Sequence, residues 1–388
     1  MQHNTPTFAR SLLRLSAIAI ASALTILPLA SISCDIGAKD VYVAGYYSVP
    51  DPNYVEGSES SYAVGNRLDV AAVWKNGTLL YRLGDGKHWS AANSVYVSGK
   101  DVYVAGYDRS SANSATVWKN GEVMYRLGKG RAEAKSLYVV GQDVFVTGTK
   151  ETSRGSAPTA WKNGTEHTKK VLALCVHGKD IYVAAEEKEG RKSVVTIQKN
   201  GVVEHRLDDG GGRDLEVASL FVSDKDVYAV GKGTWRSGSS VAAIWKNGAL
   251  TRLVGEDSSS SAESVYVSGN DVYVAGSNEG FVTVWRNGAT LFRIGNDNFA
   301  DYGRAKSIRL LGKDVYVSKE VQIEGEYDCT VWKNGTESHG AELFCISGND
   351  VYLAGRDGQA DSVTIWKNGE VKYRFKESMS HANAIFVK

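Results

Sequence analysis

The sequence predicts an all-β protein, an eight-bladed β-propeller of four-stranded antiparallel blades, and three observations lead to this prediction. Eight variants of one stretch, residues 94–128, follow one another along the chain. Each variant contains short runs in which Val alternates with Tyr, Ser or Ala, which is the two-residue period of β-strands. The copies recur roughly every 40 to 45 residues, and four strands in a repeat of this length are typical of a propeller blade.

Four strands can be assigned within residues 94–128. Two Val-rich runs flank the polar turn Gly99 to Asp101, and a third run ends at Asn120-Gly121. Asn-Gly between apolar runs favours a type I′ hairpin turn, because both residues tolerate positive φ. Residues 122–127 then return as a fourth strand. Since both faces of the inner strands are apolar, each sheet needs cover on two sides, and the neighbouring copies supply it.

Two markers occur in every copy. One is the aspartate that opens the second strand, at Asp40, Asp101, Asp143, Asp180, Asp226, Asp271, Asp314 and Asp350. The other is an Asn-Gly pair that begins at Asn76, Asn120, Asn163, Asn200, Asn247, Asn287, Asn334 and Asn368. The copies containing Asn163 and Asn334 lack the usual Tyr-Arg-Leu-Gly of the fourth strand. Seven blades is therefore the alternative, should one of these two fail to form a full sheet.

The two ends of the repeat region predict a closed ring. Too few residues separate Cys34 from Asp40 to form the first strand of a blade, whereas the last copy is followed by one extra strand, Ala384 to Val387. We expect this C-terminal strand to complete the first blade. Such closure removes an exposed sheet edge.

Residues 1–33 are predicted to be a signal peptide of the bacterial lipoprotein type. Arg10 and Arg14 precede an apolar run, Leu15 to Ala30, and small residues come before Cys34. Cys34 would then be the acylated first residue of a lipid-anchored protein of the cell envelope, at the outer or cytoplasmic membrane. Ser31 stands where such signals usually have Leu. Ordinary cleavage nearby, giving a secreted or periplasmic protein, is the alternative.

Residues 34–388 are predicted to form a single propeller domain, expected to be a monomer. The formal charge of the chain is +1, and removal of Arg10 and Arg14 with the signal leaves −1, so no basic footprint for nucleic acid is present. No metalloprotease motif, nucleophile elbow or metal-ligand spacing occurs, and we predict no catalytic residues, no metal and no cofactor. In their copies of the repeat, Cys175 and Cys345 occupy the position that Tyr96 holds in residues 94–128, and both are expected to be buried. A disulfide between Cys329 and Cys345 is the alternative.

Residues that recur in every copy are interpreted as scaffold, because a functional group is needed only once. This interpretation covers the turn aspartates, the Asn-Gly pairs and the tryptophans of the third strand, which are Trp74, Trp118, Trp161, Trp245, Trp285, Trp332 and Trp366, with Gln198 in the remaining copy. Packing between blades is the role expected of these tryptophans. A repeated carbohydrate pocket in each blade is the alternative.

An antiparallel meander places the loops between strands two and three, and those between successive blades, on one face, here called the variable-loop face. The opposite constant-turn face carries only the Gly-Lys-Asp and Asn-Gly turns. Variable loops on a rigid scaffold are typical of a binding surface, and large aromatic residues favour sugar rings or protein contacts. The candidate binding residues are Trp89 with His88, Trp235 with Arg236, Tyr46, Tyr47, Tyr54, Tyr62, Phe299 and Tyr302. Packing within its own loop is the alternative for each.

The repeated DVYVAG and VWKNG motifs resemble those of uncharacterised bacterial repeat lipoproteins, notably from spirochaetes such as treponemes. The resemblance covers nearly the whole chain after Cys34 and implies an envelope protein with a propeller fold, without a known active site. We expect a non-enzymatic envelope binding protein, adhesin-like or an interaction scaffold, that takes a protein or glycan. The alternatives are a polysaccharide-acting enzyme with carboxylates at the channel mouth and a lipoprotein that scaffolds envelope assembly.

Overall fold

The computed structural model describes residues 39–52, 66–112, 114–153, 155–167, 170–190, 192–235, 238–295, 303–323, 326–338, 341–356 and 361–388. These residues form strands joined by turns and loops. Over these ranges, no helix is long and apolar enough to cross a membrane. The predicted signal segment and Cys34 lie outside them.

Eight four-stranded antiparallel sheets form a ring, which confirms the predicted eight-bladed β-propeller. Blade 1 consists, from its first to its fourth strand, of β32 (Ser380–Val387), β1 (Val41–Pro50), β2 (Arg67–Lys75) and β3 (Thr78–Arg82). Blade 2 contains β4 (Ser90–Ser98), β5 (Asp101–Asp108), β6 (Ala115–Lys119) and β7 (Glu122–Leu127). Blade 3 contains β8 (Ala132–Val140), β9 (Asp143–Thr152), β10 (Gly155–Lys162) and β11 (Thr165–Glu166). Blade 4 contains β12 (Lys170–His177), β13 (Asp180–Glu189), β14 (Lys192–Lys199) and β15 (Val202–Arg206).

Blades 5 to 8 follow in the same order. Blade 5 contains β16 (Arg213–Ser223), β17 (Asp226–Thr234), β18 (Ser240–Lys246) and β19 (Ala249–Arg252), and blade 6 contains β20 (Ser260–Ser268), β21 (Asp271–Asn278), β22 (Phe281–Arg286) and β23 (Ala289–Ile294). Blade 7 contains β24 (Gly303–Leu311), β25 (Asp314–Ile323), β26 (Glu326–Lys333) and β27 (Thr336–Glu337). Blade 8 contains β28 (Ala341–Ser347), β29 (Asp350–Arg356), β30 (Val363–Lys367) and β31 (Glu370–Arg374).

The C-terminal strand closes the ring, as predicted. β32 pairs with β1 from Val41 opposite Val387 to Tyr47 opposite Ser380. Two backbone hydrogen bonds of 2.9 Å between Asp40 and Lys388 extend this pairing. Blade 1 therefore takes its first strand from the end of the chain and its other three from the beginning.

The two copies that lack Tyr-Arg-Leu-Gly form the blades with the shortest outer strands. β11 and β27 have two residues each and pair only with the last two residues of the third strand. In blade 2, by comparison, the fourth strand pairs with five residues of the third. The missing residues shorten these sheets but do not remove them, so the ring has eight blades rather than seven.

One side-chain clamp recurs at the constant-turn end of every blade. In blade 2, Asn120 and Gly121 have φ of 52° and 90°, as a type I′ turn requires. The amide nitrogen of Asn120 donates to Asp101 (2.8 Å), and its amide oxygen accepts from the backbone nitrogen of Val102 (2.8 Å). Lys119 pairs with Asp101 at 2.7 Å. The same contacts in all eight blades support the scaffold interpretation of these residues.

The tryptophans of the third strands pack between blades. Trp74, Trp118, Trp161, Trp245 and Trp285 are at most 1% exposed. Burial of this extent agrees with the packing interpretation and leaves no open face on these five rings for a ligand.

The first strands of the blades line the centre of the ring. Their equivalent residues are Tyr96, Tyr138, Cys175, Phe221, Tyr266, Arg309, Cys345 and Phe386. The ring of Tyr96 lies 6.0 Å from that of Tyr138 and 5.3 Å from that of Phe386, centroid to centroid, so side chains of three consecutive blades meet here.

The two cysteines of this central layer are free, as is Cys329, so the structure contains no Cys329–Cys345 disulfide. Cys175 is 4% exposed, as expected from the sequence, and Cys345 is half-buried. Burial raises the pKa of Cys175 to about 12 and that of Cys345 to about 11. Both thiols are therefore protonated at neutral pH.

Candidate binding site at the channel mouth

At the variable-loop face the first strands begin and the second strands end, and the ring of side chains at this end of the channel is here called the channel mouth. One residue of each second strand belongs to the mouth, and it directly follows a position that is Gly in six of the eight blades. These eight mouth residues are Tyr46, Tyr107, Thr149, Glu186, Lys232, Ser277, Glu320 and Arg356. Arg356 is exposed and the other seven are half-buried. Six residue types occupy these eight positions, so the mouth breaks the symmetry of the ring.

A β-bulge explains why six of the eight blades have glycine just before the mouth position. In blade 2 the pairing between β4 and β5 shifts between Ala92 and Ser94. A Cβ atom added to Gly106 would lie 2.0 Å from the carbonyl oxygen of Ala91. Glycine therefore permits the close approach of the two strands, while the bulge leaves Asn93 out of the ladder.

The residues released by the bulges connect neighbouring blades at the mouth. The amide nitrogen of Asn383 in blade 1 donates to the carbonyl oxygen of Ala92 in blade 2 (3.1 Å). That of Asn93 donates to the carboxylate of Glu133 (2.9 Å) and the carbonyl of Ala134 (3.0 Å) in blade 3. A line of amide and carboxylate groups thus follows the mouth across three blades.

Blades 8 and 1 together form a polar aromatic cluster at the mouth. The rings of Tyr46 and His381 are stacked, with centroids 4.9 Å apart and planes 17° apart. The guanidinium of Arg356 donates to the imidazole of His381 at 2.8 Å and lies 3.8 Å from the carboxylate of Glu342. Aromatic faces beside hydrogen-bonding and charged groups are suited to a polar ring such as a sugar.

The electrostatics of this cluster keep its rings neutral. Burial, with a smaller contribution from the charge of Arg356, lowers the pKa of His381 to about 4. Burial also raises the pKa of Tyr46, and the negative charge of Asp69 adds to the effect. At neutral pH the cluster therefore presents an uncharged imidazole and phenol beside one guanidinium.

Ion pairs occupy two other parts of the mouth, one in blade 4 and one in blade 7. Lys170 lies 2.6 Å from Glu186, and Lys306 lies 2.8 Å from Glu320. Burial alone would raise the pKa of Glu186, but the hydrogen bonds from Lys170 and Ser193 outweigh it and the pKa is lowered.

A small cavity of about 30 Å³ lies among the mouth residues of blades 5 to 7. Glu216, Lys232, Glu263 and Arg304 are among its lining residues. Its volume suits one or two water molecules.

Three of the predicted binding residues are accessible at the variable-loop face. Tyr46 belongs to the channel mouth. His88 is exposed, and its ring nitrogen lies 2.8 Å from Asp85. Trp89 is half-buried, and its carbonyl oxygen accepts from the backbone nitrogen of Arg109 (2.9 Å).

Two other predicted residues pack inside the ring. Trp235 is 4% exposed, donates to the carbonyl of Asp209 (3.0 Å) and is covered by the guanidinium of Arg252, 4.7 Å from its ring centroid. Tyr47 packs edge-on against Trp74, with centroids 6.3 Å apart. Both rings therefore follow the packing alternative that was weighed for them.

The remaining predicted residues, Tyr54, Tyr62, Arg236, Phe299 and Tyr302, lie outside the described residues. Among the residues that the structure describes, no group of three or more His, Cys, Asp or Glu side chains is arranged to hold a metal ion.

Sequence reasoning found Tyr46 but missed His381, Arg356, Tyr107 and the other mouth positions, because they belong to strands and the candidate residues were sought in loops. The signal was nevertheless present. In the repeat DVYVAG the next residue is Tyr, Thr, Lys, Ser or Arg from copy to copy, while its neighbours stay nearly constant.

The fold and the mouth define a β-propeller with one asymmetric polar surface at the end of its channel. No family model and no curated protein matches the chain. Among solved structures, the computationally designed Ika8 protein is 18% identical, with a TM-score of 0.47, and the match covers 77% of this chain and 91% of that one.

Two natural proteins are also similar. An acylaminoacyl peptidase of Pyrococcus horikoshii is 10% identical (TM-score 0.43), and the match covers 74% of this chain and 52% of that one. The polysaccharide lyase Uly1 is 9% identical (TM-score 0.37), over 87% and 97%. At these values the similarities carry no information about activity.

Proposed function

We propose that this protein is an exported, non-enzymatic binding protein of the cell envelope that holds a glycan at the channel mouth. The observation that carries the proposal is the confinement of sequence variation to one end of an otherwise repetitive ring. Residues that differ from blade to blade converge there, whereas the opposite face repeats the same clamp eight times.

The cluster of Tyr46, His381 and Arg356 favours a glycan over an apolar ligand. Its neutral rings offer apolar faces, and its guanidinium, with the amides of Asn93 and Asn383, offers hydrogen bonds. Trp89 and His88 extend this surface on the loop that leads into blade 2. Few well-placed polar groups around aromatic faces are the usual composition of a small-molecule site.

A binding role fits the mouth better than acid–base catalysis on a polysaccharide. Glycoside hydrolysis uses a pair of carboxyl groups, one of them kept protonated by a raised pKa. At this mouth Glu186, Glu216, Glu320 and Glu342 each lie near a cation. The pKa of Glu186 is lowered rather than raised.

We further propose that Cys34 is acylated and anchors the ring to a membrane. The features that support this are the basic, apolar and small-residue order of residues 1–33 and the cysteine that follows them. Labelling with radioactive or alkynyl fatty acid tests it: wild-type chain should incorporate label and a Cys34→Ala variant should not. Equal labelling of both would refute acylation at this residue.

A glycan array and an envelope pull-down with residues 35–388 test the binding role. A triple variant, His88→Ala, Trp89→Ala and Arg356→Ala, removes side chains that are exposed or half-buried, so the fold should persist. Loss of a contact residue at a hot spot costs about 2 kcal/mol or more, so affinity for any glycan bound should fall at least about 30-fold.

The matched control changes three exposed turn residues at the other end of the ring, Gln142→Ala, Asn270→Ala and Asn349→Ala. Its affinity should stay within about twofold of the parent. A glycan that binds both variants as well as the parent would refute a mouth site, and the absence of any glycan ligand would refute the proposed function.

A further inference from the structure

The constant-turn face carries a ring of lysines at the channel end of the propeller. The residue before the strand-opening aspartate lies in the turn between the first and second strands, and in the eight blades it is Lys39, Lys100, Gln142, Lys179, Lys225, Asn270, Lys313 and Asn349. Five are lysines, three are amides and none is acidic. All except the half-buried Lys39 are exposed.

These lysines are not needed to neutralise the aspartates beside them. Each aspartate already pairs with the Lys or Arg at the end of the third strand, at 2.6 to 3.0 Å. Asp224, next to Lys225, is the one acidic side chain that these turns add. Five cations against one carboxylate leave a local positive excess, although residues 34–388 as a whole have a formal charge of −1.

The chain enters the ring through this same face. Lys39 opens the described part of the chain, and its ammonium donates to the carbonyl of Ser347 in blade 8 (2.7 Å). Cys34 precedes it by five residues, and an extended chain spans at most about 3.5 Å per residue. The point at which an acyl group would be attached to Cys34 is therefore at most about 18 Å from Lys39 along an extended chain.

We propose that the constant-turn face docks on an anionic lipid surface, with the turn lysines against the headgroup phosphates and the channel mouth directed away from the membrane. Each lysine near an anionic membrane contributes about 1 kcal/mol. An acyl chain together with a basic patch also holds more stably than one chain alone. The turns are short and nearly uniform in length, so these lysines occupy equivalent positions in their blades.

This inference does not depend on the glycan. The lysine ring alone predicts affinity for anionic lipid. The proposed acylation of Cys34 adds only the orientation, with the constant-turn face towards the membrane. Failure of glycan binding and failure of membrane docking are therefore separate results.

Sedimentation with lipid vesicles tests the docking. Residues 35–388 retain all eight sheets and the C-terminal strand, so this fragment keeps the ring. It should bind vesicles of phosphatidylcholine and phosphatidylglycerol (3:1) at 50 mM NaCl, bind at least about tenfold more weakly at 300 mM NaCl, and not bind pure phosphatidylcholine.

Two variants with the same change in charge locate the binding face. The quadruple variant Lys100→Glu, Lys179→Glu, Lys225→Glu and Lys313→Glu should lower the partition coefficient at least about tenfold. The control, Lys87→Glu, Lys129→Glu, Lys188→Glu and Lys376→Glu, changes exposed lysines of the variable-loop half and should lower it less than about threefold. Thermal unfolding of both variants verifies the fold.

Two outcomes would overturn the proposal. If the parent does not bind the anionic vesicles, the lysine ring is not a docking surface. If both quadruple variants lose binding equally, net charge rather than this face controls the interaction, and the proposed orientation is refuted.

Discussion

Replacing Ile385 and Phe386 of β32 by alanine should open the ring at blade 1. The two side chains are 6% and 9% exposed, and they point to opposite faces of the sheet. Ile385 packs in the cluster between blades 8 and 1, whereas Phe386 packs in the cluster between blades 1 and 2. One substitution therefore weakens each of the two interfaces that hold blade 1.

The magnitude follows from the burial. Substitution of a buried Ile by Ala costs about 2 to 5 kcal/mol, and that of a buried Phe about 3 to 5 kcal/mol. The two side chains pack in clusters that share no residue, so the sum, about 5 to 10 kcal/mol, sets the scale of the loss, and coupling through the shared backbone of β32 shifts it by about 0.5 to 3 kcal/mol. A typical domain has about 5 to 15 kcal/mol of stability in total, so the double variant should be marginally folded or unfolded at 37 °C.

Urea denaturation followed by tryptophan fluorescence measures the effect. Each single variant should shift the midpoint clearly, and the double variant should lose most or all of the folded baseline. Val371→Ala is the control, because Val371 is 46% exposed in an outer strand and should change stability by less than about 0.5 kcal/mol. A double variant that unfolds at the midpoint of the parent would refute the argument that β32 holds the ring closed.

Three further predictions concern single side chains. Asn120→Asp should lower the thermal unfolding temperature at pH 7, because it sets a second carboxylate beside Asp101, and lowering the pH to 3 should reduce the difference from the parent. His381 has a folded pKa of about 4, below its unfolded value, so the native state binds fewer protons and stability should fall as the pH drops from 6.5 to 4. The pKa difference corresponds to a loss of at most about 3 kcal/mol of unfolding free energy, and the partial exposure of the imidazole reduces this loss to about 1 to 2 kcal/mol. His381→Gln should abolish this contribution in thermal unfolding measured at a series of pH values. Cys175 should resist iodoacetamide at pH 8 in the native protein and react after unfolding, as mass spectrometry would show, because burial raises its pKa to about 12.

The features that could be predicted from the sequence are those that occur many times or depend on near neighbours. The type I′ turn at Asn120-Gly121 follows from two adjacent residues, and its recurrence in eight copies makes the repeat and its four strands evident. The closing strand was predictable because the strand count at the two ends of the chain is unequal. The weakness of the copies around Asn163 and Asn334 was visible as a missing Tyr-Arg-Leu-Gly.

Features that depend on distant partners could not be predicted in this way. Trp235 lies in a variable segment, and its burial depends on the carbonyl of Asp209 and the guanidinium of Arg252, which belong to other parts of blade 5 and its neighbouring loop. Likewise, the stacking of Tyr46 on His381 joins the beginning of the chain to its end. Periodicity places each residue on a strand, but the pairing of β1 with β32 decides that these two rings meet.

The breaking of symmetry at the channel mouth also predicts how many ligands one ring binds. A pocket beside each repeated tryptophan would give up to seven similar sites. Among the described residues, the mouth has one stacked aromatic pair, Tyr46 with His381, while the far side of the ring carries the ion pair of Lys170 with Glu186. A ligand that stacks on the aromatic cluster therefore lies off the axis of the ring, and isothermal titration should give one site per chain. A stoichiometry of several equivalent sites, unchanged by Arg356→Ala, would instead support the repeated pockets and refute the mouth as the binding site.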